Sequence, residues 1–122
     1  MSPLPEISDS MKTYCFALDL HDDPNLIAEY RHHHQSGNIW PEVVDRIKGD
    51  GVVSEEIYLA GNRLFMILHT TDEFSLEDKQ AADKLNPEMQ KWEELMGKYQ
   101  KPLPQAQPGG KWMLMEKIFE VN

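Results

Sequence analysis

Cysteine is almost absent from this sequence: Cys15 is the only one among 122 residues. An intrachain disulfide and any metal site built on paired thiolates are therefore excluded. Cys15 stands in an alternating stretch with no basic residue immediately beside it, and it reads as a small buried hydrophobe. Cationic residues are scarce as well. Twelve Lys and Arg face 21 Asp and Glu, a formal net charge of -9. That balance argues against a nucleic-acid partner, whose phosphates need Lys and Arg, and against an anionic membrane surface. No apolar run approaches the ~20 residues of a membrane-spanning helix. There is no P-loop, no Gly-x-Gly-x-x-Gly and no Gly-x-Ser-x-Gly, hence no phosphate-cradling or acyl-transfer signature. Residues 1–10 are polar with two prolines and lack the charged-then-apolar layout of a signal peptide. They read as a flexible arm before a single domain over 11–122. With no paired cysteines, the expected compartment is the cytoplasm.

What is present is a regular alternation of elements. Lys12 to Leu20 alternates apolar with small or polar residues, as a strand does. His21-Asp22-Asp23-Pro24 starts a helix, with Asp23 as cap and Pro24 in the first turn. Leu26, Ile27, Tyr30 and His34 recur at helical spacing, and Gly37 ends the run. Trp40-Pro41-Glu42 opens a second helix with Val43, Val44 and Ile47 on its apolar stripe, broken by Gly49-Asp50-Gly51. Val52–Leu59 is a strand, Ala60-Gly61-Asn62 a tight connection, and Arg63–Thr70 too continuously apolar to lie at an edge. Residues 73–86 form a polar helix, and Asn86-Pro87-Glu88 restarts another carrying Met89, Trp92, Glu93 and Met96. Residues 100–110 read as an irregular loop. Lys111–Val121 reads as a closing strand, with Trp112, Leu114, Glu116, Ile118 and Glu120 on one face. This order is the split β-α-β of a ferredoxin-like α+β fold: an antiparallel four-stranded sheet with helices on one face. The bare face of such a sheet needs a cover, and a homodimer supplies one.

The chemistry concentrates in Tyr30-Arg31-His32-His33-His34. Tyr30 and His34, four apart on a helix, stack on one face, where a phenol and an imidazole can hold a polar ligand and move a proton near neutral pH. Three consecutive histidines fan out by about 100° each and cannot share one ion, so no metal site is expected. Trp92, on a polar helix beside Glu93, has the shape of a floor for the C–H face of a sugar. Trp40 and Trp112 read as packing residues. No carboxylate pair stands out by spacing alone.

Together these segments resemble the L-rhamnose mutarotase family, over about Met11 to Val121. The resemblance rests on Tyr30-Arg-His-His-His34, Ile39-Trp40-Pro41-Glu42, Ile57-Tyr58-Leu59, Leu64-Phe65-Met66, Trp92 and Ile118-Phe119. It implies a dimeric ferredoxin-like α+β barrel that interconverts the α and β anomers of a 6-deoxy sugar without metal or cofactor. By that resemblance His34 is the catalytic histidine, here taken as the main proton donor to the ring oxygen. Tyr30 binds the sugar, and Trp92 is the first of two adjacent tryptophans lining the site. The second tryptophan is replaced by Glu93, a tyrosine position on the second strand is Glu55, and the loop between His34 and Ile39 is two residues longer. Glu55 and Glu93 then bind sugar hydroxyls, or one is the partner base. L-Rhamnose is the first choice of substrate, with L-fucose or another deoxy-hexose or pentose next. Fold alone leaves two rival classes: a non-catalytic sugar-binding module, and a cofactor-free or haem-linked oxygenase of the dimeric-barrel type.

Overall fold

The computed structural model describes residues 11–107 and 110–122, so the arm expected over 1–10 lies outside the described residues. The order is β1 (Lys12–Leu20), α1 (Pro24–His33), α2 (Pro41–Gly49), β2 (Val52–Ala60), β3 (Arg63–Thr70), α3 (Leu76–Leu85), α4 (Pro87–Gly97), β4 (Gln100–Lys101) and β5 (Met113–Leu114). The antiparallel sheet runs β2-β3-β1-β4, with β5 also on β1. This is the ferredoxin-like arrangement, with β3 inside the sheet as its apolar run demands.

Local chemistry sets the helix starts. The Asp23 carboxylate accepts from the amides of Asn25 and Leu26 at 2.8 and 3.1 Å, with Pro24 in the first turn of α1. Asn86 does the same for Glu88 and Met89 at the start of α4. The helices bury their apolar sides on one face of the sheet. One cluster joins Leu20, Tyr30, Val43, Leu64, Met89, Trp92, Met96 and Tyr99, and a second joins Phe16, Val52, Leu68 and Phe74. The other face presents Cys15, Ala17, Phe65, Ile67 and Met113, which alternate along their strands with the helix-facing residues. Cys15 is half-buried there, less enclosed than a core hydrophobe. Among the described residues no helix is long and apolar enough to cross a membrane.

Two departures from the sequence reading shape the site. The first is a β-bulge. Val52 pairs with Thr70 but Ser54 pairs with His69, so Val53 is an extra residue in β2. Strict alternation from buried Val52 would send Ser54 and Glu56 toward the helices. The extra residue instead turns Glu55 and Ile57 inward, beside Leu68 and Met66. The second is the closing strand. Only Met113–Leu114 pair as a strand, with Ala17 and Phe16, and the Met115 amide adds one bond to the Cys15 carbonyl at 2.7 Å. Beyond that point Ile118, Phe119 and Val121 are 88%, 80% and 82% exposed. Alternation is a strand signal only where a partner strand exists to satisfy it.

The fourth strand of the fold is thus in two pieces. Lys101 lies opposite Asp19 and Met113 opposite Ala17. Eleven residues of sequence separate Lys101 from Met113 where an unbroken strand would spend one. Gln100 and Lys101, expected in a loop, are its first piece. Because α1 carries Tyr30 and ends at His34, its start is a sensitive point. Asp23→Ala should lower unfolding free energy by about 1 kcal/mol, read by urea denaturation, and no change would show that the cap is redundant.

Candidate active site

The last turn of α1 leaves carbonyls without helical partners. His34, the residue that ends the helix, fills one of these vacancies with its own side chain: its Nδ1 lies 2.8 Å from the Tyr30 carbonyl. A carbonyl can only accept, so Nδ1 carries the proton and Nε2 keeps the lone pair in the neutral ring. The i, i+4 spacing brings the two rings together, with centroids 4.5 Å apart. Trp92 meets the His34 ring edge-on at 5.5 Å, and Trp40 backs Trp92 at 5.2 Å. The imidazole is thereby fixed by one hydrogen bond and two aromatic neighbours.

The His34, Tyr30 and Trp92 rings line a cup of about 170 Å³ between the sheet and the helices. That is close to the roughly 150 Å³ cavity that takes up a single benzene ring. Tyr30, His34, Trp92, Glu55 and Glu93, the five residues singled out in the sequence, all border it. They come from α1, α4 and β2, and the bulge at Val53 brings Glu55 among them. The other histidines go elsewhere. His33 Nε2 lies 3.2 Å from the Tyr99 hydroxyl, which also donates to Glu29. His69 pairs with the Thr13 hydroxyl, and His32 is exposed.

Burial governs the electrostatics. It lowers the His34 pKa below the ordinary 6.5, only partly opposed by the bond to the Tyr30 carbonyl, with His33 adding to the fall. It raises the Glu55 carboxyl, against the pull of Lys79 and with help from the negative charge of Glu93. Glu55 is an exposed residue overall, yet the groups packed around its carboxyl still disfavour the charge. Burial also lifts Tyr30 to about 12, so its phenol stays protonated, with Gln100 opposing and Glu93 and Glu55 reinforcing. Lys79 is itself anchored by Asp50 at 3.1 Å and Asp83 at 2.9 Å.

Several lining residues escaped the sequence reading. Trp112, taken for packing alone, enters the cup on the strand-interrupting loop. Lys111, next to it, bonds the Glu93 carbonyl at 2.6 Å and holds α4 to that loop. Lys79 carries a faint signal, the i, i+4 pairing with Asp83. Gln100 carries none, since its position depends on the short pairing of β4 with Leu20.

A single-ring cup with a neutral imidazole, a phenol and carboxylates is equipment for proton transfer on a small polar molecule. The comparisons name the class. The family model described as L-rhamnose mutarotase matches residues 13–121. An L-fucose mutarotase from Xanthomonas campestris is 40% identical over 113 residues, covering 93% of this chain and 90% of that protein. An L-rhamnose mutarotase from Jannaschia sp. is 33% identical over 100 residues, covering 80% and 88%. The crystal structure of an L-rhamnose mutarotase from Formosa agariphila superposes with a TM-score of 0.62 at 18% identity, over 91% of this chain and 99% of that one, a likeness of fold. The chain belongs to the L-rhamnose mutarotase family. It is an isomerase acting on carbohydrates, and its reaction is the interconversion of sugar anomers.

The His34 shift fixes a linkage sign. A histidine whose folded pKa is depressed binds fewer protons than in the unfolded chain. Its contribution to stability is present above pH 6.5 and is lost as pH falls through the folded pKa. An NMR titration of the His34 ring should give a midpoint below 6.5. A midpoint above it would show that the carbonyl bond, not burial, controls the ring.

Proposed function

We propose that this chain is a mutarotase of a 6-deoxy-L-hexose, with His34 as its central acid/base residue. The observation that carries this reading is the Nδ1 bond of His34 to the Tyr30 carbonyl, which leaves Nε2 as the reactive atom of a neutral ring. Mutarotation opens the ring by removing the anomeric hydroxyl proton, breaking the bond from C1 to the ring oxygen and protonating that oxygen. Rotation about C1–C2 and the reverse steps give the other anomer. A neutral imidazole begins as the base, so His34 takes the anomeric proton on opening and returns it on closing. This inverts the order expected from sequence, in which His34 first donates. Glu55 borders the same cup, its carboxyl raised above the ordinary 4.5 by burial, and takes the partner role at the ring oxygen. Tyr30 orients the sugar through its phenol, Trp92 packs on an apolar face of the ring, and Glu93 accepts a hydroxyl at the mouth.

L-Rhamnose and L-fucose are the two candidates that relatives bear in their names. The higher identity to the L-fucose enzyme and the two carboxylates in the cup favour testing L-fucose beside L-rhamnose from the start. Two copies of the chain joined through their open sheet faces form the working unit. Half-buried Cys15, Phe65, Ile67 and Met113 on that face, and the exposed Ile118, Phe119 and Val121 beyond it, support this assembly. A reducing compartment, the cytoplasm, suits a chain with one unpaired thiol.

Anomer exchange of both sugars, followed by NMR saturation transfer, tests the reading. His34→Ala should slow exchange by about 10²–10⁴-fold with the fold intact. Unchanged exchange would remove His34 from the mechanism, and no acceleration by the unaltered protein would leave a sugar-binding module. Removing residues 116–122 should weaken the dimer in sedimentation, and an unaffected dimer would take the tail out of the interface.

A further inference from the structure

Gln100 is 7% exposed and borders the cup, and its Oε1 is buried without a hydrogen-bond partner among the described residues. Its Nε2 approaches the Tyr30 phenol oxygen at 3.5 Å, the long end of a hydrogen bond. Native structures retain few such orphans, because an unmade bond to a buried acceptor is costly. The position is rigid. Gln100 pairs with Leu20 across the short β4 ladder, so its side chain shares the helix-covered face with that core residue. Tyr99, beside it, packs its ring against Tyr30 at 6.0 Å. A buried polar side chain thus shares the lining of the cup with Met89, Met96 and Trp92.

We propose that Gln100 is a specificity-determining residue: its Oε1 accepts a hydrogen bond from one secondary ring hydroxyl of the sugar, while its Nε2 holds the Tyr30 oxygen. Because the amide faces the phenol oxygen with a donor, the Tyr30 proton points to the substrate. One side chain therefore presents an acceptor directly and a donor through its neighbour, a pair that matches the edge of a polyol. L-Rhamnose and L-fucose differ in configuration at C2 and C4 and agree at C3 and C5. A fixed acceptor on one wall reads such a difference, whereas stacking on an indole does not. This assignment rests on the mutarotase reading and adds a residue to it.

The test compares the unaltered protein with Gln100→Met, using whichever of L-fucose and L-rhamnose is exchanged faster and its 2-, 3- and 4-deoxy analogues. The unaltered protein should lose about tenfold in kcat/KM on the analogue that lacks the contacted hydroxyl. Gln100→Met should be slower on the parent sugar by a similar factor and treat the parent and that analogue alike. The other two analogues should be penalised equally in both proteins. Gln100→Leu removes both polar atoms at similar size and should lose the discrimination in the same way, which separates recognition from packing if the Met variant folds poorly. The same penalties in the unaltered protein and in a folded Met or Leu variant on all three analogues would overturn the proposal. Failure of the unaltered protein to exchange any of these sugars is seen before a variant is made, and it removes the mutarotase reading and this assignment with it.

Discussion

One hydrogen bond, from the His34 ring to the Tyr30 carbonyl, does two jobs that are usually separate. It completes the last turn of α1 by supplying a donor to a carbonyl that the helix cannot satisfy, and it selects the imidazole tautomer. Everything that touches the ring depends on this. The Tyr30 phenol can sit at 4.5 Å because the helical spacing and the bond hold both groups on one face, and Trp92 can close from the side because the ring does not rotate away. A helix terminus is a poor place for a precise group unless something locks it, and here the lock is the group itself.

The cup is assembled from both halves of the fold. The first β-α-β half brings Tyr30, His34 and Glu55, and the second brings Trp92, Glu93 and Gln100. The acidic side of the cup is made tolerable by arrangement rather than by neutralisation. Lys79 sits between Asp50 and Asp83, which leaves only part of its attraction for Glu55, so burial and Glu93 prevail and the carboxyl holds its proton more tightly. Burial and the nearby Glu93 charge together raise the Glu55 carboxyl above its ordinary range.

Much of the fold was legible because its punctuation is chemical. Asp23-Pro24, Trp40-Pro41-Glu42 and Asn86-Pro87-Glu88 each start a helix by capping or by fixed backbone geometry, and the run Leu64–Leu68 announces an interior strand. Helical spacing allowed the pairing of Tyr30 with His34, and the family resemblance favoured the same histidine. The bulge was not legible, since Val52 and Val53 are the same residue and nothing in composition distinguishes the one that pairs from the one that does not. Gln100 was hidden for a related reason: a two-residue strand is made by its partner and not by its own sequence. The closing strand was over-read for the converse reason, because residues 111–121 fit a two-face pattern but Ile118, Phe119 and Val121 stay exposed among the described residues.

The interrupted fourth strand has a consequence for how this architecture can change. Pairing with β1 resumes two positions along the strand, at Met113 after Lys101, so the sequence between them is an insertion at one ladder position. Lengthening a surface loop is thermodynamically mild, about 0.6 kcal/mol for each doubling. The insertion carries Lys111 and delivers Trp112 to the cup, so one wall can be lengthened, shortened or rewritten while the imidazole, the phenol and the bulge stay where they are. Part of the cup's lining is thereby placed on a stretch that can change length apart from α1 and β2.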